Sequence, residues 1–256
     1  NSHTSSTMLF FLLLVAVLLA CVSAESTAER KLVINGDTVL PSDNQFFVRS
    51  WLDTVRETDD ILCGASLIHS DMIITAAHCH GGFNFGVMAY DPNSESLTQY
   101  RKVDLQIAYK KYYENLEIIN YDILVLRLES PITDVEPILL NSDPNFPITR
   151  NNFGNEGTIV EATGVGITAT GFISKGLEVG YFSPMSNFQC AQRLGKANVE
   201  MTPDVMCADP YTDDSICAGD SGGPLIARIP AFGDVSAASR TPWGDGSKPV
   251  LVGVTT

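Results

Sequence analysis

Near the C-terminal end of the sequence stands Cys217-Ala218-Gly219-Asp220-Ser221-Gly222-Gly223-Pro224. A serine flanked by glycines, with an aspartate directly before it, is what nucleophilic acyl transfer requires. The hydroxyl is the attacking group. The glycines let the backbone turn tightly and aim its N–H groups at a carbonyl oxygen that becomes negative during attack. Asp220 places a fixed negative charge beside the nucleophile. A Gly-x-Ser-Gly run standing alone reads as a solvated turn, but two further segments supply the partners such a serine needs. Thr75-Ala76-Ala77-His78-Cys79 carries a histidine after an apolar run. Asn120-Tyr121-Asp122-Ile123-Leu124-Val125-Leu126-Arg127-Leu128 carries an aspartate that opens a strand pattern. Taken singly, His78 reads as a satisfied core histidine and Asp122 as a strand-start cap; taken together the three are a base, an orienting carboxylate and a nucleophile.

A metal reading competes at one point, because His78-Cys79-His80 with Cys63 offers zinc ligands. Adjacent residues on a strand point to opposite faces and share one ion poorly, so no metal is expected. His69 and His80 read as surface residues.

The elements that must position these groups are short strands punctuated by turns. Strands are expected over 46–51, 63–68, 72–76, 99–109, 123–128, 157–165, 176–181, 225–227 and 250–254. The second and third join around His69-Ser70-Asp71. A short helix over 185–194 carries Cys190. Asp143-Pro144-Asn145-Phe146-Pro147 is a cluster of breakers and the expected linker. Residues 231–248 read as an extended surface loop.

The chain has 256 residues, 45% of them hydrophobic, enough for one or two packed domains. Thirty acidic against 16 basic residues give a formal net charge of -14. Nucleic-acid binding wants a basic face, so that class is excluded. Residues 9–20 form an apolar run of signal-peptide length, too short for a comfortable membrane span, and Val22-Ser23-Ala24 offers the small residues of a cleavage site. Residues 1–24 are therefore expected to be a signal peptide with upstream residues, with no stable membrane anchor. Of six cysteines, Cys21 leaves with that segment, and export places the other five in an oxidising compartment.

The order His, Asp, Ser in these three contexts resembles the chymotrypsin/trypsin-like serine proteases, over roughly residues 33–256. The resemblance implies an all-β fold of two antiparallel Greek-key β-barrels, 33–142 and 143–256, the second incomplete at its C-terminus. The active site would lie in the cleft between them. It implies His78 as general base, Asp122 holding the imidazole tautomer, Ser221 as nucleophile, and an oxyanion hole from the N–H groups of Gly219 and Ser221. It implies disulfides Cys63–Cys79 and Cys190–Cys207, and leaves Cys217 without a mate. The residue six before the nucleophile forms the base of the family's specificity pocket. Here it is neutral Ser215, with apolar Ile216 beside it, which implies preference for an apolar residue before the scissile bond. Residues 25–32 resemble a propeptide ending in Arg30-Lys31, followed by Leu32-Val33-Ile34-Asn35-Gly36. A freed Val33 ammonium would fold onto Asp220. That register needs cleavage after Leu32, whereas a basic-specific activator cuts after Lys31, and one residue is about 3.5 Å of chain.

The function expected is a secreted, extracellular serine endopeptidase made as a zymogen. It would act through an acyl-enzyme and need no cofactor. Its partners would be protein or peptide substrates, an activating protease and protein inhibitors, and the chain would be a monomer. The alternative is a catalytically silent relative acting as a binding or inhibitor module.

Overall fold

The computed structural model describes residues 37–52, 61–80, 85–114, 121–149, 157–166, 176–193, 204–211, 215–216, 219–229 and 248–256. The expected leader, propeptide and junction, with Val33, lie outside the described residues. So do Cys217 and nearly all of the expected 231–248 loop.

Six strands close a barrel in the first part of the chain: β2 (Phe47–Leu52), β3 (Ile61–His69), β4 (Met72–Thr75), β5 (Phe85–Asp91), β6 (Ser96–Ala108) and β7 (Leu124–Leu128). The order around it is β2-β3-β4-β7-β6-β5. Alternation along β7 sends Leu124, Leu126 and Leu128 inward, where they meet Val48, Ala65, Leu67, Ile73, Val87 and Ala89 in one cluster. Burying each large aliphatic side chain contributes about 1.5–3 kcal/mol. The hairpin between β3 and β4 turns at Ser70-Asp71, as the sequence predicts. β5 escapes the sequence reading for a physical reason. Gly86, Val87, Ala89 and Tyr90 are all buried, so both faces are covered and no polar alternation marks the strand.

The second part is a sheet of seven strands among the described residues. Its order is β1 (Asp37–Val39), β10 (Leu177–Met185), β9 (Val160–Gly164), β12 (Pro224–Ile229), β13 (Lys248–Val254) and β8 (Leu139–Leu140), with β11 (Cys207–Pro210) also paired to β10. Pairing is antiparallel except between β13 and β8. All five residues of β9 and all but one of β10 are buried, so these strands read as continuous runs. β10 continues past the expected end at Tyr181 through Ser183-Pro184, where Pro184 stands opposite Ala208 of β11. Helix α1 (Lys110–Glu114) follows β6. Helix α2 (Asn187–Arg193) carries Cys190, whose disulfide to Cys207 ties the helix to β11.

Charges sit inside this second sheet. Glu161 on β9 takes a two-pronged ion pair from Arg228 on β12, Nε to Oε1 at 2.9 Å and Nη2 to Oε2 at 3.0 Å, with both side chains largely buried. The two parts share cores: Ile226 and Leu251 pack into the barrel cluster, while Phe47 of β2 packs with Val39, Val165, Leu177 and Val179. Among the described residues no helix is long and apolar enough to cross a membrane.

Candidate active site

β4 ends at Thr75 and the chain tightens into a 3₁₀ turn, Ala77–Cys79, with Ala77 and Cys79 buried and His78 facing outward. The Cys63–Cys79 disulfide, with Cα atoms 6.1 Å apart, pins this turn to β3. His78 and Cys79 therefore do not point to opposite faces of a strand, as the sequence reading had it. Cys63, His78 and Cys79 present ligand atoms within 4.8 Å of one another. The two sulfurs are bonded to each other, which removes the thiolates that a soft metal would need.

His78 is engaged by Asp122 twice. Its backbone N–H donates to Oδ1 at 2.8 Å, and its ring Nδ1 lies 2.7 Å from Oδ2. The histidine side chain is 39% exposed and the aspartate 7%, so a buried carboxylate holds a ring that remains open to solvent. Burial pushes the Asp122 carboxyl up. The hydrogen bonds from the His78 ring and backbone, the charge of that ring and the Ala77 backbone outweigh burial and hold Asp122 below the usual carboxylate range. Asp122 sits two residues ahead of β7, in a turn where the Ile123 N–H donates to the Tyr121 carbonyl at 2.8 Å.

Ser221 is placed by its backbone. Its carbonyl accepts the Gly64 N–H of β3 at 2.8 Å. Gly222 adopts φ +78° and lies so close to Thr75 and the Gly64 carbonyl that any Cβ would collide with them. The loop thus rests on the end of β4, three residues before His78. On its other side Asp220 is 3% exposed and turns into the second sheet, where its Oδ1 accepts the Gly166 N–H at 2.7 Å. Gly164 leaves room for that carboxylate. Among the described residues neither the Ser221 hydroxyl nor the N–H groups of Gly219 and Ser221 meet a hydrogen-bond partner, and Gly219 has φ +97°.

Ser215 and Ile216 line a cavity of ≈ 430 Å³ whose walls also include Asp122, Phe182, Met206 and Val252. Ile216 is 38% exposed. Thr255 belongs to this region and no motif signals it: its hydroxyl donates to the Asp220 carbonyl at 2.5 Å, and its backbone brackets Gly222 and Gly223. The structure thus joins His78 to Asp122, brings the Ser221 loop against the strand leading to His78, and sets Ser215 and Ile216 in a cavity that Asp122 borders.

A closed six-stranded barrel joined to a second, largely antiparallel sheet is the chymotrypsin-like two-barrel architecture. The family model described as Trypsin matches residues 42–252, and the chain belongs to that family of serine proteases. It is 30% identical to trypsin iota of Drosophila melanogaster over 71% of this chain and 68% of that protein. It is 27% identical to human granzyme H over 91% of each. Among solved structures it resembles neuropsin, a serine protease expressed in the limbic system of mouse brain, with a TM-score of 0.60 at 21% identity, covering 74% of this chain and 80% of that one.

Proposed function

We propose that this chain is a serine endopeptidase in which His78, Asp122 and Ser221 act as one catalytic set. The observation that carries the reading is the double hold of Asp122 on His78. It fixes the ring with Nδ1 toward the carboxylate and leaves Nε2 for the nucleophile. His78 takes the Ser221 proton as the hydroxyl attacks a peptide carbonyl, then gives it to the leaving amine. Asp122 stabilises the imidazolium formed between those steps. The developing oxyanion is received by the N–H groups of Gly219 and Ser221, which no other described group uses. Removing one such donor typically costs about 10²–10³ in turnover.

Ser215 and Ile216 form part of the pocket for the residue before the scissile bond. Apolar walls from Ile216, Met206 and Val252 favour an apolar side chain there. Residues 1–24 direct export and 25–32 form a propeptide. Cleavage by an activating protease frees Val33 to pair with buried Asp220. The partners are protein and peptide substrates and protein inhibitors, and the activated chain works as a monomer outside the cell.

The test is labelling with a fluorophosphonate after cleavage ahead of Val33. The expected result is one adduct, on Ser221. Ser221→Ala removes the label and lowers peptidase activity by on the order of 10⁴–10⁶. Phenylalanyl or leucyl peptides are cleaved in preference to lysyl ones. A second reading, a silent binding module, draws on the Ser221 hydroxyl having no bond to His78. It predicts a folded, processed protein that takes no label.

A further inference from the structure

The turn that delivers Asp122 is held in an uncommon shape from across the molecule. Tyr121 adopts φ +61°, a left-handed conformation that bulky residues rarely take. Its peptide N–H donates to Oδ2 of Asp204 at 2.8 Å, and Asp204 comes from the second part of the chain, 83 residues away. The Tyr121 carbonyl accepts from the Ile123 N–H, which closes the turn around Asp122 itself. The ring is held from the barrel side. It lies 5.2 Å from the Tyr109 ring, and the Lys111 ammonium stands 5.0 Å over its face. The Tyr109 N–H donates to the Ile123 carbonyl at 3.3 Å, fixing the far end of the turn.

We propose that Asp204 is a positioning residue for Asp122, one that locks the Tyr121 peptide and so aims the carboxylate at His78. The proposal rests on the reading of His78, Asp122 and Ser221 as one catalytic set and names what sets its geometry. The logic is one of leverage. The direction of the Asp122 side chain follows from the backbone dihedrals of residues 121–123. Two oxygens of that side chain must meet two donors of His78 at once, at 2.8 and 2.7 Å. A peptide free to leave the left-handed region would swing the carboxylate away from one of them, and displacement on the 1 Å scale can cost on the order of 10²-fold in rate. A carboxylate accepting a backbone N–H is a strong, directional hold on that peptide. Asp204 borders the same cavity as Asp122, Ser215 and Ile216, so the hold spans the cleft in which substrate would lie. Asp204 touches no reacting atom; it acts through Tyr121.

The test compares three substitutions in the full-length, cleaved protein. Asp204→Ala removes the acceptor. Asp204→Asn keeps an oxygen in place without the charge. Asp204→Glu keeps the charge and displaces the oxygen. The expected result is a fall in kcat of about 10- to 100-fold for Asp204→Ala and Asp204→Glu, with KM within about twofold, and rescue to within about threefold by Asp204→Asn. The downfield proton resonance of the His78–Asp122 hydrogen bond broadens or shifts in the two impaired variants and persists in Asp204→Asn. That resonance needs no turnover. If the wild-type protein fails to cleave peptides or take a fluorophosphonate, the catalytic reading falls, while the resonance still reports on Asp204. Asp204 is exposed, and an unchanged thermal midpoint shows each variant folded. The proposal is overturned by wild-type kcat and an unshifted resonance in Asp204→Ala. It is also overturned by equal losses in Asp204→Ala and Asp204→Asn with Asp204→Glu intact, which would make the charge the active ingredient.

Discussion

The closed barrel and the second sheet bury different things. Among the described residues of the first barrel's strands the buried side chains are hydrophobic, Phe47, Cys63 and Tyr90 included, apart from Ser50, Ser66 and Thr75, and Asp122 brings a charge to its rim. The second sheet buries Glu161, Glu178, Asp209 and Asp220, held by partners that include Arg228, Arg193 and the Gly166 N–H. Apolar burial is non-directional and holds its shape by close packing, whereas a buried carboxylate is stable only where its donors stand. The barrel is thus suited to presenting the His78–Asp122 pair as a fixed unit. The second sheet is suited to a conformation that depends on what charge is supplied, which fits the proposed arrival of an ammonium at Asp220.

The largest effect that separates the two parts is expected from Arg228→Ala. It leaves the Glu161 carboxylate buried without its two-pronged partner, and unfolding by denaturant is expected to show a loss of about 3–5 kcal/mol. Leu126→Ala in the barrel opens a cavity among 0%-exposed neighbours and is expected to lose about 2–5 kcal/mol through lost packing alone. An Arg228→Ala loss under about 1 kcal/mol, the size of an exposed pair, would break the contrast. Smaller again is the contribution of Asp122. Its folded carboxyl titrates lower than in the unfolded chain, so its share of stability is complete above the unfolded value near 3.8 and is lost as pH falls through the lower folded value. The stability gap between wild type and Asp122→Asn therefore begins to narrow only below about pH 4 and closes below the folded value. The smallest effect belongs to Asp104→Asn. The Asp104–Arg127 pair lies on the barrel's outer face at 2.9 Å, and solvent screens it, so the thermal midpoint is expected to stay put.

What the sequence discloses follows the same divide. β7 is legible over Leu124–Leu128 because one face is apolar and the other meets solvent. β5 is covered on both faces and loses that signature, whereas β9, also covered on both faces, falls inside the continuous run expected over 157–165, and β10 hides its last residues behind Ser183-Pro184. The motif residues stand out because each lies in a short run whose composition suits its chemistry. Thr255 and Asp204 do not, since a hydroxyl on the Asp220 carbonyl and a carboxylate on the Tyr121 N–H are meetings between distant segments, with no local pattern to announce them. The 3₁₀ turn at His78 is likewise set by the Cys63–Cys79 tether and the Asp122 contact rather than by the apolar run before it.

The central claim is that the imidazole of His78 removes the proton from the Ser221 hydroxyl, although the two make no hydrogen bond in the structure. The most direct measurement is the rate at which a fluorophosphonate attaches to Ser221 as pH is varied, in the cleaved wild-type protein and in His78→Ala. The account predicts a His78→Ala rate lower than that of the wild type by several powers of ten at every pH. A folded wild-type protein that labels Ser221 no faster than His78→Ala does would contradict it.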